Sequence, residues 1–128
     1  LFNAWFAQKG EEENALSSKL ATYALLDNFD ALNVTGGGIR IEGKLVAASF
    51  AEVVSDHTVL AHLEFADNSF RGVFNAMNQQ FCEHEWSGYP YINREEDMGL
   101  NGLRQAKLAY RPIYLIDKYV AVLKEERL

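Results

Sequence analysis

The sequence is poor in the features that mark cross-linked, metal-bound, membrane-spanning or polyanion-binding proteins. Its one cysteine, Cys82, cannot close an internal disulfide, which fits a reducing, cytoplasmic compartment. Three histidines and that cysteine, none at close ligand spacing, argue against a structural zinc site, and no metal is expected. Apolar runs extend only a few residues, against the ~20 that a membrane span requires. Residues 1–10 lack the basic start and apolar run of a secretory signal. Cationic residues are outnumbered, 12 Lys and Arg against 18 Asp and Glu, and the net charge of −6 argues against an extensive nucleic-acid surface. An initiating methionine is also missing: the chain opens on Leu1, as expected of a fragment of a longer protein.

What is abundant is core material. Hydrophobic residues make up 48% of 128 positions, with 8 Phe, 6 Tyr and 2 Trp, enough to bury one domain spanning 1–128. Residues 11–32 hold no Gly or Pro. Leu16, Leu20 and Tyr23 share one helical face, and Leu25, Phe29 and Leu32 lie on roughly the opposite one. This predicts a helix that is kinked or covered on two sides. Gly36, Gly37 and Gly38 read as a turn or bulge rather than a phosphate cradle. A cradle follows a strand and opens a helix, whereas here Ile39 and Ile41 alternate with Arg40 and Glu42 as the start of a strand.

Gly43-Lys44 predicts a tight turn into a second strand at 45–54, making an antiparallel hairpin, and a third strand follows at 58–66. Alternation puts Val59, Ala61, Leu63 and Phe65 on one face of that strand and Leu60, His62 and Glu64 on the other. Asp67, Asn68 and Ser69 predict a capped helix reaching Glu85, with Val73, Phe74, Met77 and Phe81 buried. Gly88 closes it, and residues 89–95 read as a strand. The cluster from Asp97 to Asn101 opens a further helix carrying Leu100, Leu103, Ala106 and Tyr110, which Pro112 ends. Residues 113–123 read as a last strand and 124–128 as a solvated tail. The order implies an α/β architecture: a mixed sheet with an antiparallel hairpin, parallel strand–helix–strand units, and helices on both faces.

Chemistry concentrates at the ends of two strands. His62 and Glu64 share a face by alternation and could exchange a proton as a base or orienting pair, or simply satisfy a polar strand end. Tyr89, Tyr91, Asn93 and Glu95 share a face of the next strand. In a parallel pairing, Asn93 and Glu95 approach His62 and Glu64, and carboxylates brought together shift one another's ionisation. Glu95, Glu96 and Asp97 equally suit the start of the following helix. Lys107 falls on that helix's apolar side with Arg104 one turn earlier, so Glu95 or Asp97 is expected to pair with Lys107 or Arg104. Arg71-Gly72 opens a helix, where free N–H groups favour an anion.

These residues carry a family resemblance. His62-Leu63-Glu64, Arg71-Gly72, Asn78-Gln79-Gln80-Phe81 and the run from Asn93 to Leu100 contribute to it. So do Gly102 to Tyr110 and Pro112. Together they resemble the lysylphosphatidylglycerol synthase C-terminal-like family, many of whose members are bacterial proteins of unassigned function. That family is similar to the GNAT acyltransferases and the peptidoglycan aminoacyltransferases. The likeness covers roughly 34–123, and its specific part runs from Asn93 to Pro112. It implies a GNAT-like sheet splayed between the strands that end near Glu64 and Glu95. It also implies acyl- or aminoacyl-transfer chemistry, with His62, Glu64, Asn93 and Glu95 as catalytic candidates. Arg71, Gly72, Asp97, Arg104, Lys107 and Tyr110 are the candidate substrate- or cofactor-binding residues. Of the several glycines that usually surround the phosphate-loop arginine, only Gly72 is present, so the donor stays open between acyl-CoA and aminoacyl-tRNA. Family members typically pair two such domains, so a second GNAT-like domain is the implied partner, with a small-molecule substrate.

Overall fold

The computed structural model describes residues 1–10 and 15–124. The chain divides into two compact units, Leu1–Glu95 and Glu96–Leu128.

The first unit begins with helices α1 (Phe2–Lys9) and α2 (Ala15–Asp27) and a single 3₁₀ turn (Phe29–Ala31). Strands β1 (Thr35–Ile41), β2 (Lys44–Ser55) and β3 (Thr58–Ala66) come next, then α3 (Val73–Glu85) and β4 (Tyr91–Asn93). The four strands form one sheet in the order β1-β2-β3-β4. The first two pairings are antiparallel and β3 runs parallel to β4. The expected mixed α/β sheet is therefore present. The β1–β2 hairpin closes at Glu42 and Gly43, whose φ values of 49° and 80° match the twist of the flanking strands.

Burial builds a layer on each side of the sheet. On one side Val73, Met77 and Phe81 of α3, spaced at helical intervals, pack with Val46, Ala51, Val59, Ala61 and Ala66. Each Val, Met or Phe side chain so removed from water contributes about 1.5–3 kcal/mol, and each alanine methyl less. On the other side the rings of Phe2, Trp5 and Phe6 from α1 surround Phe65, with centroids 5.0–5.9 Å away, and Phe29 meets Phe50 at 6.2 Å.

One irregularity sets the direction of several polar side chains. Phe50 pairs with Leu63 and Ala51 with Ala61, so His62 is an extra, bulged residue of β3. A bulge reverses the alternation of side chains beyond it. Val59 and Ala61 before it, and Ala66 after it, all reach the α3 core, whereas Phe65 turns to α1. The uniform alternation expected across 58–66 is thus corrected.

Other expectations need correction. The helix read over 11–32 is α2 followed by the 3₁₀ turn, and residues 11–14 lie outside the described residues. Leu16 and Leu20 are exposed, while Leu25 and Phe29 are partly buried. The sequence reading missed α1. Gly36 to Gly38 do not break the chain but run inside β1, because the helix and neighbouring rings press so close that side chains do not fit. A Cβ at Gly37 would lie 2.8 Å from the Phe81 ring, and one at Gly36 3.0 Å from Phe50. Asp67 does not cap α3, which starts six residues later at Val73 after Gly72 takes a left-handed φ of 78°. Asp67 instead folds the turn, accepting the Ser69 backbone N–H at 3.1 Å and its hydroxyl at 2.6 Å. β4 has three residues rather than seven: its pairing with β3 starts only at Tyr91, and Glu95 adopts φ 57° and leaves the extended conformation.

The second unit contains α4 (Asn101–Leu108), which ends before Pro112. Its start also lacks a side-chain cap: the Asp97 carboxylate accepts the Gly99 N–H at 2.9 Å in a preceding turn. Residues 112–124 form no regular element, so the last strand expected at 113–123 is absent among the described residues. Ile113, Leu115, Tyr119, Val120, Val122 and Leu123 are 77–97% exposed. Strand propensity resides in the residue types, but a strand forms only where another edge accepts its hydrogen bonds.

Candidate functional site

β3 and β4 run side by side through three residue pairs, ending at Leu60 and Asn93, and β3 continues six residues farther to Ala66. The pairing ends at that point, and two clusters of polar side chains stand beyond it.

The first cluster centres on His62. Its imidazole Nε2 lies 2.8 Å from Glu52 Oε1 on β2, and its Nδ1 lies 3.1 Å from Glu95 Oε1 beyond β4. The bulge aims the ring. Glu52 follows the core residue Ala51 on β2 and therefore points away from α3. Glu95 is held by its neighbour, because Asn93 Oδ1 accepts the Glu95 backbone N–H at 2.8 Å. All three side chains are partly exposed, at 27% for His62, 34% for Glu52 and 41% for Glu95. An imidazole between two carboxylates can hold, orient and pass protons.

The second cluster centres on Glu64. The reversed alternation turns it toward α3, where Asn78 donates to Oε1 at 2.9 Å and Arg94 to Oε2 at 2.6 Å. The Arg94 guanidinium also lies 6.0 Å from the Phe74 ring centroid. Glu64 and Arg94 are only 16% and 15% exposed, so this is a nearly buried ion pair. His62 and Glu64 therefore do not work on one face as expected. They stand in two separate clusters, with Glu64 paired to Arg94. Nearby, burial foremost, aided by the charge of Glu64, pushes the Cys82 thiol up, which disfavours the reactive thiolate.

Arg71 and Gly72 occupy the exposed turn before α3. In that same turn the Ser69 hydroxyl foremost, with Lys44 at 3.0 Å, holds the Asp67 carboxyl down to about 2.

The remaining candidates belong to the second unit. Arg104 donates to both Asp97 oxygens, with Nε on Oδ2 and Nη2 3.3 Å from Oδ1. That hydrogen bond foremost lowers the Asp97 carboxyl and raises the Arg104 guanidinium. The expected acid–base pairing is thus Asp97 with Arg104. Lys107 Nζ donates to the Glu96 carbonyl at 2.7 Å, and Glu96 meets Lys118 at 3.2 Å. Tyr110 stands in the exposed turn after α4, its N–H donated to the Lys107 carbonyl at 3.2 Å.

Sequence reasoning missed Glu52, which sits in an ordinary apolar strand and reaches His62 only through the β2–β3 register. It also assigned no role to Asn78 or Arg94. Asn78 could have been suspected, lying one residue beyond buried Met77 on α3. Among the described residues no group of three or more His, Cys, Asp and Glu is placed to hold a metal ion. No helix among them is long and apolar enough to cross a membrane.

The family described as Phosphatidylglycerol lysyltransferase, C-terminal, matches residues 1–122. A conserved protein of unknown function from Bacteroides thetaiotaomicron VPI-5482 shares 38% identity and superposes with a TM-score of 0.81. The match covers 85% of this chain but only 37% of that one, so the chain spans little more than a third of this relative's length. A ribosomal-protein-alanine N-acetyltransferase from Brucella melitensis biovar Abortus 2308 superposes with TM-score 0.53 at 16% identity, covering 81% of this chain and 87% of that one. A possible acetyltransferase from Clostridium difficile 630 gives 0.57 at 16%, covering 98% and 87%. These two likenesses establish the GNAT-like fold. A search of the curated proteins finds no match.

Proposed function

Because the chain belongs to the phosphatidylglycerol lysyltransferase C-terminal family, we propose that it is an acyl- or aminoacyl-transferase domain with His62 as its proton acceptor. The observation that carries this reading is the imidazole held between Glu52 and Glu95 beyond the end of the β3–β4 pairing. In open α/β sheets, ligands favour the crevice beyond the carboxyl ends of parallel strands.

Glu52 orients the ring through Nε2. Glu95, the more exposed carboxylate, yields its place at Nδ1 to the hydroxyl or amine of an acceptor. The acceptor's oxygen or nitrogen bonds to the activated acyl carbon and its proton passes to His62. The carbon's bond to the donor then breaks, and the leaving group takes up a proton. Asn93 shapes the rim by holding the Glu95 backbone. Glu64 supports the sheet through Arg94 and takes no part in the proton transfer. An anionic donor group would meet Arg71 and the uncapped start of α3. Val73 and Phe74 stand there instead of further glycines, so the donor is left open between acyl-CoA and aminoacyl-tRNA. The lone Cys82 favours a cytoplasmic setting.

A second reading rests on two other observations. The chain spans only 37% of its Bacteroides relative, and Leu16 and Leu20 stand exposed one turn apart on α2. In that reading this is a partner half, which packs on a second GNAT-like domain and shapes a shared cleft.

Thermal unfolding with coenzyme A, acetyl-CoA, and charged or uncharged tRNA separates the two. A bound donor at one hundred times its Kd adds about 2.7 kcal/mol, a rise of several degrees that Arg71→Ala should diminish. No shift with any of the four would count against donor binding and favour the partner half.

A further inference from the structure

The two contacts of His62 impose a condition on protons. A neutral imidazole has one N–H and one lone pair, so it donates to only one carboxylate. The second carboxylate then faces a lone pair with its own. Nε2 at 2.8 Å from Glu52 and Nδ1 at 3.1 Å from Glu95 are both donated hydrogen bonds only when the ring carries two protons. The three partners come from three separate elements of the chain. Glu52 is on β2, His62 is the bulged residue of β3, and Glu95 follows β4.

We propose that Glu52, His62 and Glu95 form a proton-operated latch, closed across β2, β3 and the end of β4 while the imidazole is doubly protonated, and opened at Glu95 when one proton leaves. Glu95 is the arm that lets go, for three reasons on the same residue. Its contact is the longer of the two, its side chain is the more exposed, and its backbone stands at φ 57°, an unfavourable conformation for a residue with a Cβ. With the carboxylate released, the Asn93 side chain still holds that backbone through the Glu95 N–H. Glu64, two residues along β3, points to α3 and is paired with Arg94 and Asn78. The device goes beyond the transfer reading and operates whether or not the domain carries out a reaction.

The test is amide exchange in the 128-residue chain, expressed as protection factors so that the intrinsic pH dependence cancels. Measurements at about pH 5.5 and about pH 8 bracket the range in which imidazoles change charge. The amides of Ile92 to Glu95 should be at least three-fold better protected at the lower pH. That difference should vanish in Glu95→Gln and in His62→Gln, while the amides of β1 keep the same protection in all three proteins. Glu95→Gln replaces a partly exposed side chain by its isostere, so its fold is expected to survive, and an unchanged backbone spectrum would verify this. Equal protection at both pH values in the native chain would overturn the latch. So would a pH difference that persists in Glu95→Gln, because the responding group would then lie elsewhere.

Discussion

Asp67 shows how much a single residue's role depends on its exact partners. Its residue type and its place before a helix both suggest a cap, yet its oxygens serve Ser69 within the turn and Lys44 at the start of β2. Those contacts lower its ionisation from 3.8 to about 2. Because the folded value lies below the unfolded one, the stabilisation is fully present above about pH 4 and fades as the pH falls toward 2. Asp67→Asn should therefore be less stable than the native chain above about pH 4, where the contribution is fully present, and the two should converge as the pH falls toward 2, giving the variant a flatter acid limb. Urea midpoints measured at a series of acid pH values check this, and parallel acid limbs in the two proteins would contradict it. His62 and Glu64 make the same point. Their chemical types mark them as site residues, but one bulge decides that His62 meets Glu52 and Glu95 while Glu64 meets Arg94.

Among the elements, the join between β3, β4 and α3 depends on the Glu64–Arg94–Asn78 set. Breaking a nearly buried ion pair on one side leaves a charge without compensation, at a cost of about 3–5 kcal/mol. Glu64→Gln alone, or Arg94→Met alone, is expected to lose about that much. The double substitution should lose clearly less than the sum of the two. Denaturant unfolding of the four proteins supplies the cycle, and additive losses would mean that the pair is not coupled. The elements themselves were largely readable beforehand. The β1–β2–β3 meander, the extent of α3 to Glu85 and its buried Val73, Met77 and Phe81 follow from local periodicity. The glycine run at 36–38 was not readable, because its cause is the Phe81 ring and the Phe50 ring pressing on β1 from other elements.

For the whole molecule, order is set by which backbone groups find partners. β2 is paired along both edges, whereas residues 112–124 form no regular element. Hydrogen–deuterium exchange should accordingly find the amides of Ala47 to Phe50 among the last to exchange and those of Leu115 to Leu123 among the first. Comparable protection in the two stretches would show that the terminal segment has acquired a strand partner.

The sequence by itself determined the α/β class, the order of most strands and helices, and the family, because periodicity, turn residues and motifs are properties of neighbouring positions. Only the tertiary structure decided that Glu52 joins His62, that Arg94 engages Glu64, and that 113–123 forms no strand. Those outcomes depend on register and, for the side chains, on partners 10 and 30 residues away. A one-residue bulge at His62 changes which face a side chain meets while leaving no mark in the local pattern, since it arises from how two strands align rather than from either strand alone.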